Sequence, residues 1–214
     1  MEQILTAIID QYPADKGALR AQNSWIALFN TNEGEFKEKA MSSFPNFVNM
    51  PRYAHPEQLA SLRENMAQRL IITSTTAGYH PRALSGKVIH HYQGQVAIPF
   101  SIPLEEIPVL QGERAYKVVG NPNGLLYLRA LVNDKYAKPS YLLDRLSIFA
   151  KREPKDIYFW TSTKDSRESK PVKAIGFLNS GNNFSVNDLW VDDPVGVGLA
   201  YGMKIPTKTI HLGN

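Results

Sequence analysis

The chain has 214 residues, 43% hydrophobic and 21% charged, with ten Tyr, nine Phe and three Trp, enough for a substantial core and unlike a disordered polymer. It contains no cysteine, which excludes disulfides, thiolate metal sites and a cysteine nucleophile. The formal charge of +4 favours anionic partners over cationic ones.

In chain order, Ile4, Leu5, Ile8, Ile9 and Tyr12 recur at helical spacing and predict a first helix, ended by Pro13. Nothing at Met1-Glu2-Gln3 resembles a secretory signal, and no apolar run approaches a membrane span. A cytoplasmic protein without membrane contact is expected. Leu19, Trp25, Leu28 and Phe29 predict a second short helix, and the three prolines within 43–56 predict a loop. Pro56 suits a first helical position, and Leu59, Leu62, Met66 and Leu70 continue that helix to about Ile72.

Beyond Ser74 the pattern turns to strands. Lys87–Tyr92 and Gln95–Phe100, separated by Gln93-Gly94, predict a hairpin. Arg114–Val119 and Leu125–Leu131 flank Asn121-Pro122-Asn123-Gly124, a turn signal that predicts a second strand pair. Pro139–Lys151 predicts a helix. Ile157–Thr163, Val172–Leu178, Val186–Val191 and Val197–Ile205 predict further strands. The fold class expected is α+β: a helical N-terminal region over 1–78, packed on a mostly antiparallel sheet over 79–214 as one compact unit.

Charge is unevenly placed. Residues 111–180 hold 13 Lys and Arg against 7 Asp and Glu, whereas the remainder holds 11 against 13. Within that window Lys151, Arg152, Lys155, Lys164, Arg167, Lys170 and Lys173 surround Tyr158 and Trp160. Cations can neutralise backbone phosphates, and aromatic faces can stack bases, so this pattern predicts a nucleic-acid site favouring single strands. The cations at 151–155 also complement a helix C-terminus without any ligand. On a strand, Tyr158 and Trp160 share a side, opposite Ile157 and Phe159. An open side makes them stacking platforms; a covered one makes them core.

Three other patterns compete. Asp188 and Asp192 share a strand face, and with a histidine they could serve a Mg²⁺-dependent phosphodiesterase or nuclease; Asp192-Asp193-Pro194 also opens a turn. Gly196, Gly198 and Gly202 miss the dinucleotide-binding spacing by one residue. His90 and His91 face opposite ways on a strand, and one of them could be a general base oriented by Glu105 or Asp188, although a lone strand histidine is more often just hydrogen-bonded. Glu35-Phe36-Lys37 mimics half of a nuclease motif in a surface context. With no convincing catalytic constellation, the expectation is a non-catalytic nucleic-acid-binding subunit of a larger assembly. It would need no cofactor and no metal, and would meet protein partners there. A scaffold protein whose basic face meets an acidic partner is the further alternative.

Overall fold

The run Ile71-Ile72-Thr73-Ser74-Thr75-Thr76, β-branched at five of six positions, suits a pleated strand better than a helix end, and it opens an interior strand of the main sheet. The computed structural model describes residues 9–50, 54–80, 85–92, 95–103, 116–117, 122–138, 140–141, 144–145, 156–160, 172–180, 183–192 and 197–204. Its helices are α1 (Gln22–Thr31), α2 (Phe44–Asn49), α3 (Pro56–Gln68) and α4 (Pro122–Val132). Its strands are β1 (Lys39–Met41), β2 (Ile71–His80), β3 (Ser85–Tyr92), β4 (Gln95–Pro103), β5 (Tyr116–Lys117), β6 (Asp156–Trp160), β7 (Val172–Ser180), β8 (Asn183–Trp190) and β9 (Gly202–Lys204).

Seven strands form one sheet in the order β4-β3-β2-β7-β8-β6-β5, antiparallel throughout except for the parallel β6–β8 pair. β1 and β9 form a separate two-stranded sheet. The fold is therefore α+β. The division after residue 78 falls inside β2, and β1 pairs with β9, so the two parts of the chain share both sheets.

Side-chain alternation assigns the two faces of the large sheet. Ala77 of β2 pairs with Lys173, and Ile175 of β7 pairs with Asp188, so Tyr79, Lys173, Ile175, Phe177, Val186 and Asp188 share one face. α2, α3 and α4 cover it with Phe44, Phe47, Leu62, Met66, Tyr127 and Leu128, and this is the main core. Phe44 and Phe47 both meet the Phe177 ring edge-on, at 5.6 and 4.9 Å. The other face carries Ile72 and Leu189, which pack with Trp25 and Phe29 of α1 in a second cluster.

A register shift in β2 between Ile72 and Thr76 interrupts its pairing with β7. Gln22 at the start of α1 answers it, donating its amide to the carbonyls of Thr73 (2.6 Å) and Thr75 (2.8 Å). That bond pair fixes α1 against the sheet.

Three segments depart from the sequence expectation. Residues 9–12 are not helical: Ile9 bridges to Met203, and Asp10 and Ala14 donate their N–H groups to Gly202 and Ala200. Residues 4–8 lie outside the described residues. Within the expected loop, Ser43 starts α2, its N–H donating to Asn46 Oδ1 at 2.8 Å, with Pro45 in the first turn where its missing N–H is harmless. The segment expected as a strand at 125–131 is α4, with Pro122 at its first position. The 87–100 hairpin and the strands at 157, 172 and 186 form as expected. Of the helix expected from Pro139, residues 140–141 and 144–145 are helical, and the remainder lies outside the described residues.

Candidate nucleic-acid interface

β6 is the strand on which the aromatic half of the expected site rests. Its parallel register sets Tyr158 against Ser185 and Trp160 against Asn187, which puts Tyr158 on the face opposite Asp188 and α4. Tyr158 is half-buried there. Lys117 of β5 is the backbone register partner of Tyr158, and its side chain lies outside the described residues. The Trp160 backbone ends β6, and its side chain lies outside the described residues. So do Lys151, Arg152, Lys155, Lys164, Arg167 and Lys170. In sequence, residues 161–171, which carry three of those cations, follow Trp160 and precede Val172, and they lie outside the described residues.

Lys173 corrects the expected cation set. It has no exposed surface, and it lies on the core face of β7, diagonal to Asp188 across the β7–β8 pair. A solvated phosphate cannot reach it. Burying an ammonium is costly unless it is compensated, so this residue serves the interior.

Asp188 is likewise held by the fold. Its Oδ2 accepts the Tyr79 hydroxyl at 2.5 Å and its Oδ1 accepts the Tyr127 hydroxyl at 2.9 Å. Burial, and then the Asp188 charge, push the Tyr127 hydroxyl well above its ordinary pKa, so it stays protonated and donating. Asp192 lies beyond the end of β8 in an exposed turn, and among the described residues no three acids or histidines gather to hold a metal.

His90 has a structural explanation too. Its Nε2 faces the Ala130 carbonyl at 3.1 Å, which can only accept, so Nε2 carries the proton. Its Nδ1 lies 2.9 Å from Thr75 Oγ1, and that oxygen also accepts the Phe44 N–H at 3.0 Å. This chain ties α2, β2, β3 and α4 together and engages both ring nitrogens of His90.

Gly198 and Gly202 are explained by close approach, and Gly196 lies outside the described residues. A Cβ on Gly198 would lie 2.5 Å from the Leu70 carbonyl oxygen, and one on Gly202 would lie 2.6 Å from Asp10 Oδ2. The Gly198 carbonyl also accepts the Trp25 indole N–H at 2.9 Å. Gly34–Phe36 forms a single 3₁₀ turn, which is not the strand a nuclease motif requires.

Two features escaped the sequence reading. One is an open groove of about 250 Å³ bounded by Asp10, Tyr12, Phe29, Glu35, Phe36 and Lys39, with Lys39 paired to Asp10 at 2.7 Å. Its two carboxylates outnumber its one ammonium, so it repels phosphate. The other is the turn after α4, where Lys135 Nζ stands 4.9 Å from the centre of the Tyr136 ring. Its signal was the basic–aromatic–basic spacing of Lys135, Tyr136 and Lys138, outside the run that drew attention. Nearby, Arg145 stacks 4.4 Å from Tyr141 but is buried, its Nη1 donating to the Val48 carbonyl.

No protein family, curated protein or solved structure matches the chain. Among the described residues no helix is long and apolar enough to cross a membrane.

Proposed function

We propose that the protein is a non-catalytic, cytosolic nucleic-acid-binding subunit of a larger nucleoprotein assembly, and that it favours single strands. The observation that carries this reading is the position of Tyr158. It is half-buried on the sheet face away from α4, on a strand that runs directly into the cation-rich segment 161–171. Lys151, Arg152, Lys155, Lys164, Arg167 and Lys170 hold the phosphate backbone, and Tyr158 and Trp160 stack bases. Lys173, being buried, is not part of this set. The Mg²⁺-dependent alternative is the less favoured one, because Asp188 already accepts two tyrosine hydroxyls and no three acids or histidines gather among the described residues.

The stacking role is tested by Tyr158→Ala. Loss of a stacking face weakens single-strand binding by about 1–3 kcal/mol. A labelled single strand titrated by fluorescence anisotropy gives the affinity. Binding unchanged from the wild type removes Tyr158 from the site.

A further inference from the structure

Tyr136 is the most exposed large aromatic side chain among the described residues, at 76%, yet the turn that carries it is firmly braced. α4 ends with Asn133 in the left-handed region (φ 57°), its N–H donating to the Ala130 carbonyl at 3.2 Å. Asp134 N–H donates to the Arg129 carbonyl at 3.0 Å, and Ala137 N–H to the Asp134 carbonyl at 3.2 Å. The Asp134 carboxylate accepts the Tyr136 N–H at 2.9 Å. Arg129 Nε reaches from α4 to the Ala137 carbonyl at 2.8 Å, and Ala137 itself is buried. Five hydrogen bonds thus fix the backbone of a turn whose central ring points into water.

An exposed aromatic ring contributes little to folding, whereas a ring carried on a backbone already braced before a ligand arrives leaves less backbone entropy to lose on binding. The chemistry beside it indicates the ligand. Lys135 Nζ stands 4.9 Å from the ring centre, Lys138 follows two residues after the ring, and both lysines are exposed, while the Asp134 carboxylate accepts the N–H of its own turn. An exposed aromatic face with an ammonium against it and a second cation two residues on complements a base and its neighbouring phosphates.

We infer that Lys135, Tyr136 and Lys138 form a second single-stranded nucleic-acid contact, with Tyr136 stacking a base. α4 covers the sheet face opposite Tyr158, so this contact is separate from the one on β6. It rests on the nucleic-acid reading above and extends it to a new surface.

The test compares a labelled single-stranded oligonucleotide with an abasic strand of equal phosphate number, using wild type, Tyr136→Ala, Tyr136→Phe and the Lys135→Ala/Lys138→Ala pair. Tyr136→Ala lowers affinity for the base-bearing strand about tenfold, within the roughly 5- to 150-fold a stacked base supplies, and leaves the abasic strand unaffected. Tyr136→Phe keeps the ring and the affinity. The lysine pair weakens both strands and lowers the single-strand salt slope by roughly 1 to 1.5 units. Wild-type melting temperatures are expected throughout, because none of these side chains is buried. If Tyr136→Ala binds both strands like wild type while Lys164→Ala/Arg167→Ala/Lys170→Ala weakens them, this contact is refuted and the β6 site stands. Tighter binding of polyglutamate than of the oligonucleotide overturns the inference in favour of an acidic protein partner. If wild type binds no strand at low salt, both readings fall together.

Discussion

Lys173 and Asp188 show how a charged residue can be read wrongly when it is counted and not placed. In sequence Lys173 belongs to a basic run, but on a strand it keeps step with Ile175 and Phe177, both of which are buried. That parity was available without coordinates and outweighs the run. Asp188 is different: only the long-range meeting of Tyr79, Tyr127 and β8 shows that both its oxygens are engaged. These two positions make one joint prediction. Asp188→Ala leaves two tyrosine hydroxyls without their acceptor, at a cost of about 1–3 kcal/mol each. Each kcal/mol lowers the melting temperature of a chain of this size by about 2–4 °C. Neither Asp188→Ala nor Lys173→Met changes single-strand affinity or salt slope. Weaker binding by a Lys173→Met protein that melts normally returns Lys173 to the phosphate-contact set. Strand cleavage by wild type with Mg²⁺, lost in an Asp188→Ala protein that melts normally, restores the nuclease reading.

At the scale of elements, the hairpin β3–β4, helix α3 and strands β6, β7 and β8 were legible because periodicity and turn residues agreed. α4 was misread because Asn121-Pro122-Asn123-Gly124 resembles a hairpin turn. The following Leu125-Leu126-Tyr127-Leu128-Arg129-Ala130-Leu131 contains no β-branched residue, and its leucines, arginine and alanine favour helix. Residues 9–12 went the other way: their helical spacing yields to the pairing of Ile9 and Asp10 with Met203 and Gly202, which tertiary contact alone supplies. The helices also bury hydroxyls that titrate. Burial pushes Tyr201 up to about 12, with Asn65 donating to its oxygen at 2.9 Å, and Tyr127 on α4 is raised by burial and by Asp188. The unfolded chain releases these protons near pH 10, so the folded state binds more protons between about pH 10 and 12. Stability is therefore flat with respect to these groups below that window and falls as pH rises through it. Urea midpoints measured across the window show the fall, and Tyr201→Phe makes it shallower. An equally steep fall in a Tyr127→Phe/Tyr201→Phe protein contradicts the assignment.

For the whole molecule, the positive field is confined to one stretch of sequence, and the rest of the chain is slightly acidic. The groove lined by Asp10 and Glu35 lies in that acidic remainder. Charge placement was legible from composition alone, whereas the sheet order that sets β6 between β8 and β5 was not, because it depends on a parallel pairing between distant segments. The Tyr136 turn is different: its bracing hydrogen bonds all join residues within 129–137, and its basic–aromatic–basic spacing lies outside the 151–173 run. The central claim, that the cations of 151–170 hold a phosphate backbone, is tested most directly by anisotropy titration of a labelled single strand at several salt concentrations. The comparison is between wild type and Lys164→Ala/Arg167→Ala/Lys170→Ala. Each lost phosphate contact removes about 0.7 units of log–log slope on a single strand, so the triple variant should bind more weakly with a slope shallower by roughly 2 units. An unchanged slope and affinity in that variant would contradict the site, and no wild-type binding at low salt would contradict the function.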